Sequence, residues 1–166
     1  MRTLAIGIVV ALIAAEARAE GFGVRDLAAV APEVSAALGS GFSHRSEPQR
    51  VTLICPKCDG QPSVDLQIGR QTDGTEERVR SGQTPISRLE KLCQEKIPSC
   101  RVAGLGVAPA VGWISTYPMG SMFGSTVVIL RDGDLLTIRS LASNAEAART
   151  NAEKVVRAVR PKLMGN

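Results

Sequence analysis

The feature that most constrains this chain is at its start. Residues 4–15 are uninterruptedly apolar, Arg2 precedes them, and Ala17-Arg18-Ala19 follows. A basic start, a short apolar run and small residues at the two positions a signal peptidase reads make residues 1–19 an export signal, cut after Ala19. A membrane-spanning helix needs roughly 20 apolar residues, so a retained anchor is the weaker reading. With no cysteine near the cut, no lipid-modified N-terminus is expected. The expected product, residues 20–166, is periplasmic or secreted and makes no stable membrane insertion after signal cleavage.

Export decides how Cys55, Cys58, Cys93 and Cys100 are read. An even cysteine number in an oxidising compartment points to disulfides before thiolate ligands. Four cysteines allow three pairings, and spacing does not choose among them. Local pairing, Cys55 with Cys58 and Cys93 with Cys100, is the simpler expectation; crossed pairing would close longer loops and stabilise more, by about 4 kcal/mol for a loop near 40 residues. Composition adds bounds: 22% charged, 44% hydrophobic and 3% aromatic residues describe an ordinary globular chain. Its net charge of +4 is mild, far from the clustered excess of a nucleic-acid groove, so no nucleic-acid partner is expected.

Periodicity places the elements. Val24, Leu27, Val30, Val34 and Leu38 recur at helical spacing, interrupted by Pro32, which predicts either a kinked helix or a short one starting near Ala31 and ended by Gly39-Ser40-Gly41. Residues 50–54 and 63–68 predict two strands of a hairpin, with 55–62 turning between them. The polar stretch 70–82 reads as a solvated loop. Thr84-Pro85 predicts a helix start, Thr84 capping, with Ile86, Leu89, Leu92, Cys93 and Ile97 facing inward until Pro98. Strands are expected at 101–105, 111–117, 125–130 and 135–139, the last two joined through Asp132-Gly133. Ser143 to Glu146 fits a capping box ahead of a helix with Ala148, Ala152, Val155, Val159 and Leu163 inward, limited by Pro161. The expectation is a single disulfide-stabilised α+β domain, an antiparallel sheet packed with helices.

The C-terminal third, two hairpins and then a long amphipathic helix, resembles the Mog1/PsbP-like α/β/α sandwich that includes the periplasmic DcrB-like proteins. The resemblance is carried by Gly124-Ser125-Thr126-Val127-Val128-Ile129 and Leu135-Leu136-Thr137-Ile138. It implies an accessory or assembly role without catalysis. It transfers no site residue, and the cysteine set departs from that family.

Chemistry centres first on Cys55-Pro56-Lys57-Cys58. Such a pair can cycle between dithiol and disulfide, and Lys57 would favour a thiolate. In thioredoxin-like oxidoreductases, however, the motif opens a helix that lowers the attacking thiol's pKa, whereas Asp59-Gly60-Gln61-Pro62 reads as a turn into a strand. The same residues resemble one knuckle of a zinc ribbon, but Cys93 and Cys100 are too widely spaced for the second. Copper(I) would take these thiolates with Met119 and Met122, both soft ligands, although two methionines in a Gly-rich turn read first as filler. His44, the sole histidine, adjoins Ser43 without a nucleophile elbow and reads as a loop residue. Asp132 and Asp134 read as turn residues, and Gly104-Leu105-Gly106 as a bulge.

Trp113, Ser115 and Tyr117 alternate onto one strand face, with Phe123 nearby. Aromatic rings of a small domain belong first to its core; failing that, they form a binding surface. Arg149, Glu153, Arg157 and Arg160 read as a solvated helix face. The expected function is therefore non-catalytic binding of a protein or small molecule, through Trp113, Tyr117, Met119 and Met122, with no cofactor and no metal. The alternatives are thiol-disulfide exchange at Cys55 and Cys58, or zinc or copper binding.

Overall fold

After Gly41 the chain builds a seven-stranded antiparallel sheet, five of whose strands alternate inward apolar and outward side chains. The computed structural model describes residues 21–164, so the expected signal segment lies outside the described residues. The strands are β1 (Ser43–Glu47), β2 (Arg50–Ile54), β3 (Ser63–Arg70), β4 (Arg101–Gly104), β5 (Val111–Met119), β6 (Met122–Arg131) and β7 (Asp134–Ala142). Their spatial order is β1-β2-β3-β7-β6-β5-β4. The final strand therefore lies at the centre, joining the meander β1-β2-β3 to the meander β4-β5-β6.

Register puts Val51, Leu66, Ile138, Val127 and Ile114 side by side in one row, all essentially inaccessible. Onto this face pack α1 (Ala31–Leu38) and α4 (Ala145–Met164). The inward stripe of α4, Ala148, Ala152, Val155, Val159 and Leu163, is fully buried, each branched apolar side chain contributing about 1.5–3 kcal/mol of burial. Pro32 sits in the first turn of α1 and a 3₁₀ turn (Leu27–Val30) precedes it, so the helix is short and starts at Ala31, where a proline costs no backbone hydrogen bond. The disulfides are local: Cys55–Cys58, with Cα atoms 5.4 Å apart, and Cys93–Cys100, 5.9 Å apart.

Several expectations are corrected. The polar stretch 70–82 holds a six-residue helix, α2 (Thr75–Arg80), started by Asp73 accepting from the Thr75 N–H and supported by the Glu76–Arg80 pair one turn apart; it has no buried residue and so no apolar signature. Helix α3 (Ile86–Gln94) forms, but Pro85 occupies its cap position with no side-chain cap bond. Its stripe misses the core because the helix lies against β4 at the sheet's margin; Leu92 is 50% exposed and Cys93 half-buried. Asn144, not Ser143, caps α4, accepting from the Ala147 N–H. Pro161 lies inside α4, which runs on to Met164, because Pro161 and Arg157, whose carbonyl it leaves unpaired, both face solvent. His44 belongs to a strand: β1 was invisible to alternation, since all five of its residues are exposed. Gly104 ends β4 in register with Trp113 rather than forming a bulge.

Candidate binding face and the cysteine turns

Side chains alternate across a strand, so residues out of phase with the core row point to the opposite face. Three cross-strand rows run there. One is Arg50, Gln67, Thr137, Val128, Trp113 and Gly104; the next is Thr52, Asp65, Arg139, Thr126, Ser115 and Val102; the third is Ile54, Ser63, Leu141, Gly124 and Tyr117. Both long-packing helices, α1 and α4, occupy the core face, while α2 and α3 gather at β4 and β5. Ile86 of α3 lies against Gly104, next to Trp113 in its row.

Trp113 and Tyr117 are half-buried on this second face and stay out of the core. The Tyr117 ring lies across Gly124, where an added Cβ would come within 2.6 Å of its Cε2. Its hydroxyl stands 2.8 Å from Thr126 Oγ1. Glycine at 124 thus makes room for a ring laid flat on the sheet. Met119 and Met122 close the β5–β6 hairpin as a facing pair on the same side, over a turn that needs the positive φ of Gly120, 63°; Met119 is 47% exposed. Ile54 and Leu141 share the Tyr117 row, and Met119 lies two residues beyond Tyr117 on the same face.

Charge on the face is uneven. Asp65 is sunk, accepting from Arg50 Nε at 2.7 Å and Thr52 Oγ1 at 3.0 Å, and its side chain is 18% exposed against 55% for Arg50. Arg139, in the middle of the central strand, is exposed, and its side chain makes no hydrogen bond or ion pair among the described residues.

The cysteine turn sits at the end of β2. Cys55 is completely buried, Cys58 half-buried. Backbone bonds from Cys55 N–H to Pro62 O, Cys58 N–H to Cys55 O and Gln61 N–H to Cys58 O hold the turn, and it leads into β3. Among the described residues no helix starts at this turn to point its N-terminus at either sulfur. Gly41 packs against the bridge: a Cβ there would lie 2.7 Å from Cys55 Sγ. The second disulfide ties the end of α3 to the start of β4, where Gln94 Nε2 donates to Cys100 O. All four sulfurs are in disulfides, and among the described residues no group of three or more His, Cys, Asp or Glu is placed to hold a metal ion.

At the opposite end of the sheet, α2 and the β6–β7 turn enclose an open cleft of about 530 Å³ lined by Glu76, Glu77, Arg80, Arg131 and Asp132 among others. Burial there pushes the Glu76 carboxyl up, but hydrogen bonds from the Gly133 N–H, Arg80 and the Asp132 N–H outweigh it and hold the group below the usual carboxylate range. Asp132 is the turn residue expected, at φ 52°. Asp134 is not: it is 3% exposed, accepting from Phe22 N–H at 2.9 Å and from Arg70 Nη1 at 2.7 Å, with Arg25 Nη2 at 3.6 Å. Gly21 passes so close to this carboxylate that no Cβ fits. Asp134 anchors the start of the described chain, a role no local pattern could announce because its partners lie 112 and 64 positions away.

No protein-family model matches the chain, and no curated protein matches it in sequence.

Proposed function

We propose that this chain is a small exported accessory protein, stabilised by its disulfides, that takes a partner on the face of its sheet that α1 and α4 leave open, and performs no chemistry. The observation that carries the reading is the lopsided fold: a seven-stranded sheet with its two core-packing helices on one face leaves Trp113, Tyr117, Leu141, Ile54 and Met119 accessible in part on the other, where α3 lies only at the β4 margin. An aromatic pair spared from the core of a protein with few aromatic residues is what an interface centre uses. The disulfides suit an oxidising compartment, as the export signal implies. The likeness to the Mog1/PsbP-like sandwich, whose members are mostly accessory proteins, belongs to the same proposal.

The sheet's edges favour the face over strand addition. Strand β1 is short, polar and charged, the β4 edge offers its Val102 N–H to Glu90 of α3, and the overhang of β5 beyond β4 contains Pro118, which has no N–H to donate. Thiol-disulfide exchange at Cys55 and Cys58 is less well supported, because the first sulfur is buried and lacks a helix to stabilise its thiolate.

The test is site-specific photo-crosslinking in the native host, with the probe at Thr137 on the face or at Arg149 on the outside of α4. We expect a discrete adduct from Thr137 alone, lost when Tyr117→Ala is added to a folded protein. Equal adducts from both sites, or an adduct indifferent to Tyr117, would overturn the reading.

A further inference from the structure

The charge pattern of this face says more about its partner than its shape does. The one carboxylate in the central row, Asp65, is sunk beneath Arg50 and Thr52, so what is presented outward is guanidinium. Arg139 stands in the middle of β7, the fourth of seven strands, with Thr126 and Ser115 to one side, the sunk Asp65 to the other, and mixed rows above and below it that place Val128 and Trp113, and Leu141 and Tyr117, on its flanks. An exposed cation with hydroxyls beside it on β6 and β5, its β3 neighbour Asp65 already engaged by Arg50 and Thr52, and flanked by Val128 and Trp113 on one side and by Leu141 and Tyr117 on the other, matches a carboxylate carried between apolar side chains.

The central position of Arg139 also bears on which occupant fits. Two copies packing face to face about a two-fold axis would bring their Arg139 guanidinium groups together near that axis, at the cost of like-charge repulsion. A flat anionic membrane would engage projecting side chains, whereas Tyr117 lies down on Gly124 with its hydroxyl tied to Thr126. Resting on the binding role proposed above, we infer that the partner is an acidic, apolar-containing protein segment that sets a carboxylate on Arg139 and its apolar side chains along the two flanking rows.

Trp113 is the sole tryptophan, so its emission reports on this face directly. The experiment selects short segments from a random displayed library on the full oxidised chain, then titrates one synthetic representative by Trp113 emission. The expected result is enrichment of Asp and Glu together with apolar residues. Affinity should fall at least about tenfold in Arg139→Glu and fall as salt rises, while Arg157→Glu on α4 leaves it little changed. Failure to select any segment, absence of acidic enrichment, or indifference to Arg139→Glu overturns the inference. So does a stronger Trp113 response to phosphatidylglycerol vesicles than to the segment, or concentration-dependent self-association in sedimentation. Neutral segments that shift Trp113 emission and are weakened by Tyr117→Ala would remove the acidic partner but leave the binding face. Segments that bind without any change in Trp113 emission would remove both.

Discussion

Replacing Asp134 tests how the start of the described chain is held. Its carboxylate is 3% exposed and accepts the Phe22 N–H at 2.9 Å and Arg70 Nη1 at 2.7 Å. Asp134→Ala leaves the Phe22 N–H without its acceptor in a site from which water is excluded, at about 1–3 kcal/mol. Arg70 is 58% exposed, so losing that pair adds only about 0.5 kcal/mol. The sum, about 1.5–3.5 kcal/mol, corresponds to a Tm lowered by about 3–14 °C in a domain of this size. Asp134→Asn keeps an acceptor for Phe22 and should cost about 1 kcal/mol. The assay is chemical denaturation of the oxidised protein, with amide exchange at Phe22 as the local readout: exchange should quicken strongly in Asp134→Ala and less in Asp134→Asn. If Asp134→Ala fell within about 0.5 kcal/mol of the parent, or the two substitutions were equal, the carboxylate would not be the anchor.

Two further outcomes follow from polar groups wholly or partly withdrawn from water. Ser140 is fully buried on the core face and its Oγ has no hydrogen-bond partner; Ser140→Ala should therefore preserve stability or raise it by up to about 1 kcal/mol, and a loss by denaturant titration would contradict the geometry. Glu76 is held below its ordinary pKa of 4.5 in the folded protein, so its stabilising effect is present above that value and is lost as pH falls through the lower, folded one. Glu76→Gln should lower Tm at neutral pH, with the gap to the parent closing in acid; a gap independent of pH would refute the assignment.

What could be read from the sequence was whatever one buried face writes into it. The strands β2, β3, β5, β6 and β7 and the stripe of α4 each bury one face, so alternation and helical spacing reveal them. The Asp132-Gly133 turn was legible for the same local reason: its conformation requires those residue types. β1 has no buried side, and α2 rests on Asp73 and the Glu76–Arg80 pair rather than on an apolar stripe. For α3 the stripe was real but its destination was not encoded locally, since only tertiary packing decides that it meets the margin and not the core. The aromatic face had an unused signal. Ile114 and Trp113 are out of phase on one strand, and the described residues hold one long amphipathic helix, α4, enough to cover one side of a seven-stranded sheet.

The central place of β7 also orders events as the chain is made. The β1-β2-β3 meander and the β4-β5-β6 meander each have their own turns, but neither touches the other until residues 134–142 arrive to zip both sides at once. Before then each half presents a raw edge, on β3 and on β6, with Leu66 and Val127 uncovered because α4 comes later still. The non-local β3–β7 pairing makes assembly slow relative to a helical protein, and a nascent chain shorter than β7 is two sticky half-sheets prone to wrong pairing. Losing the last thirty or so residues would thus not trim this protein at one end but split it down the middle.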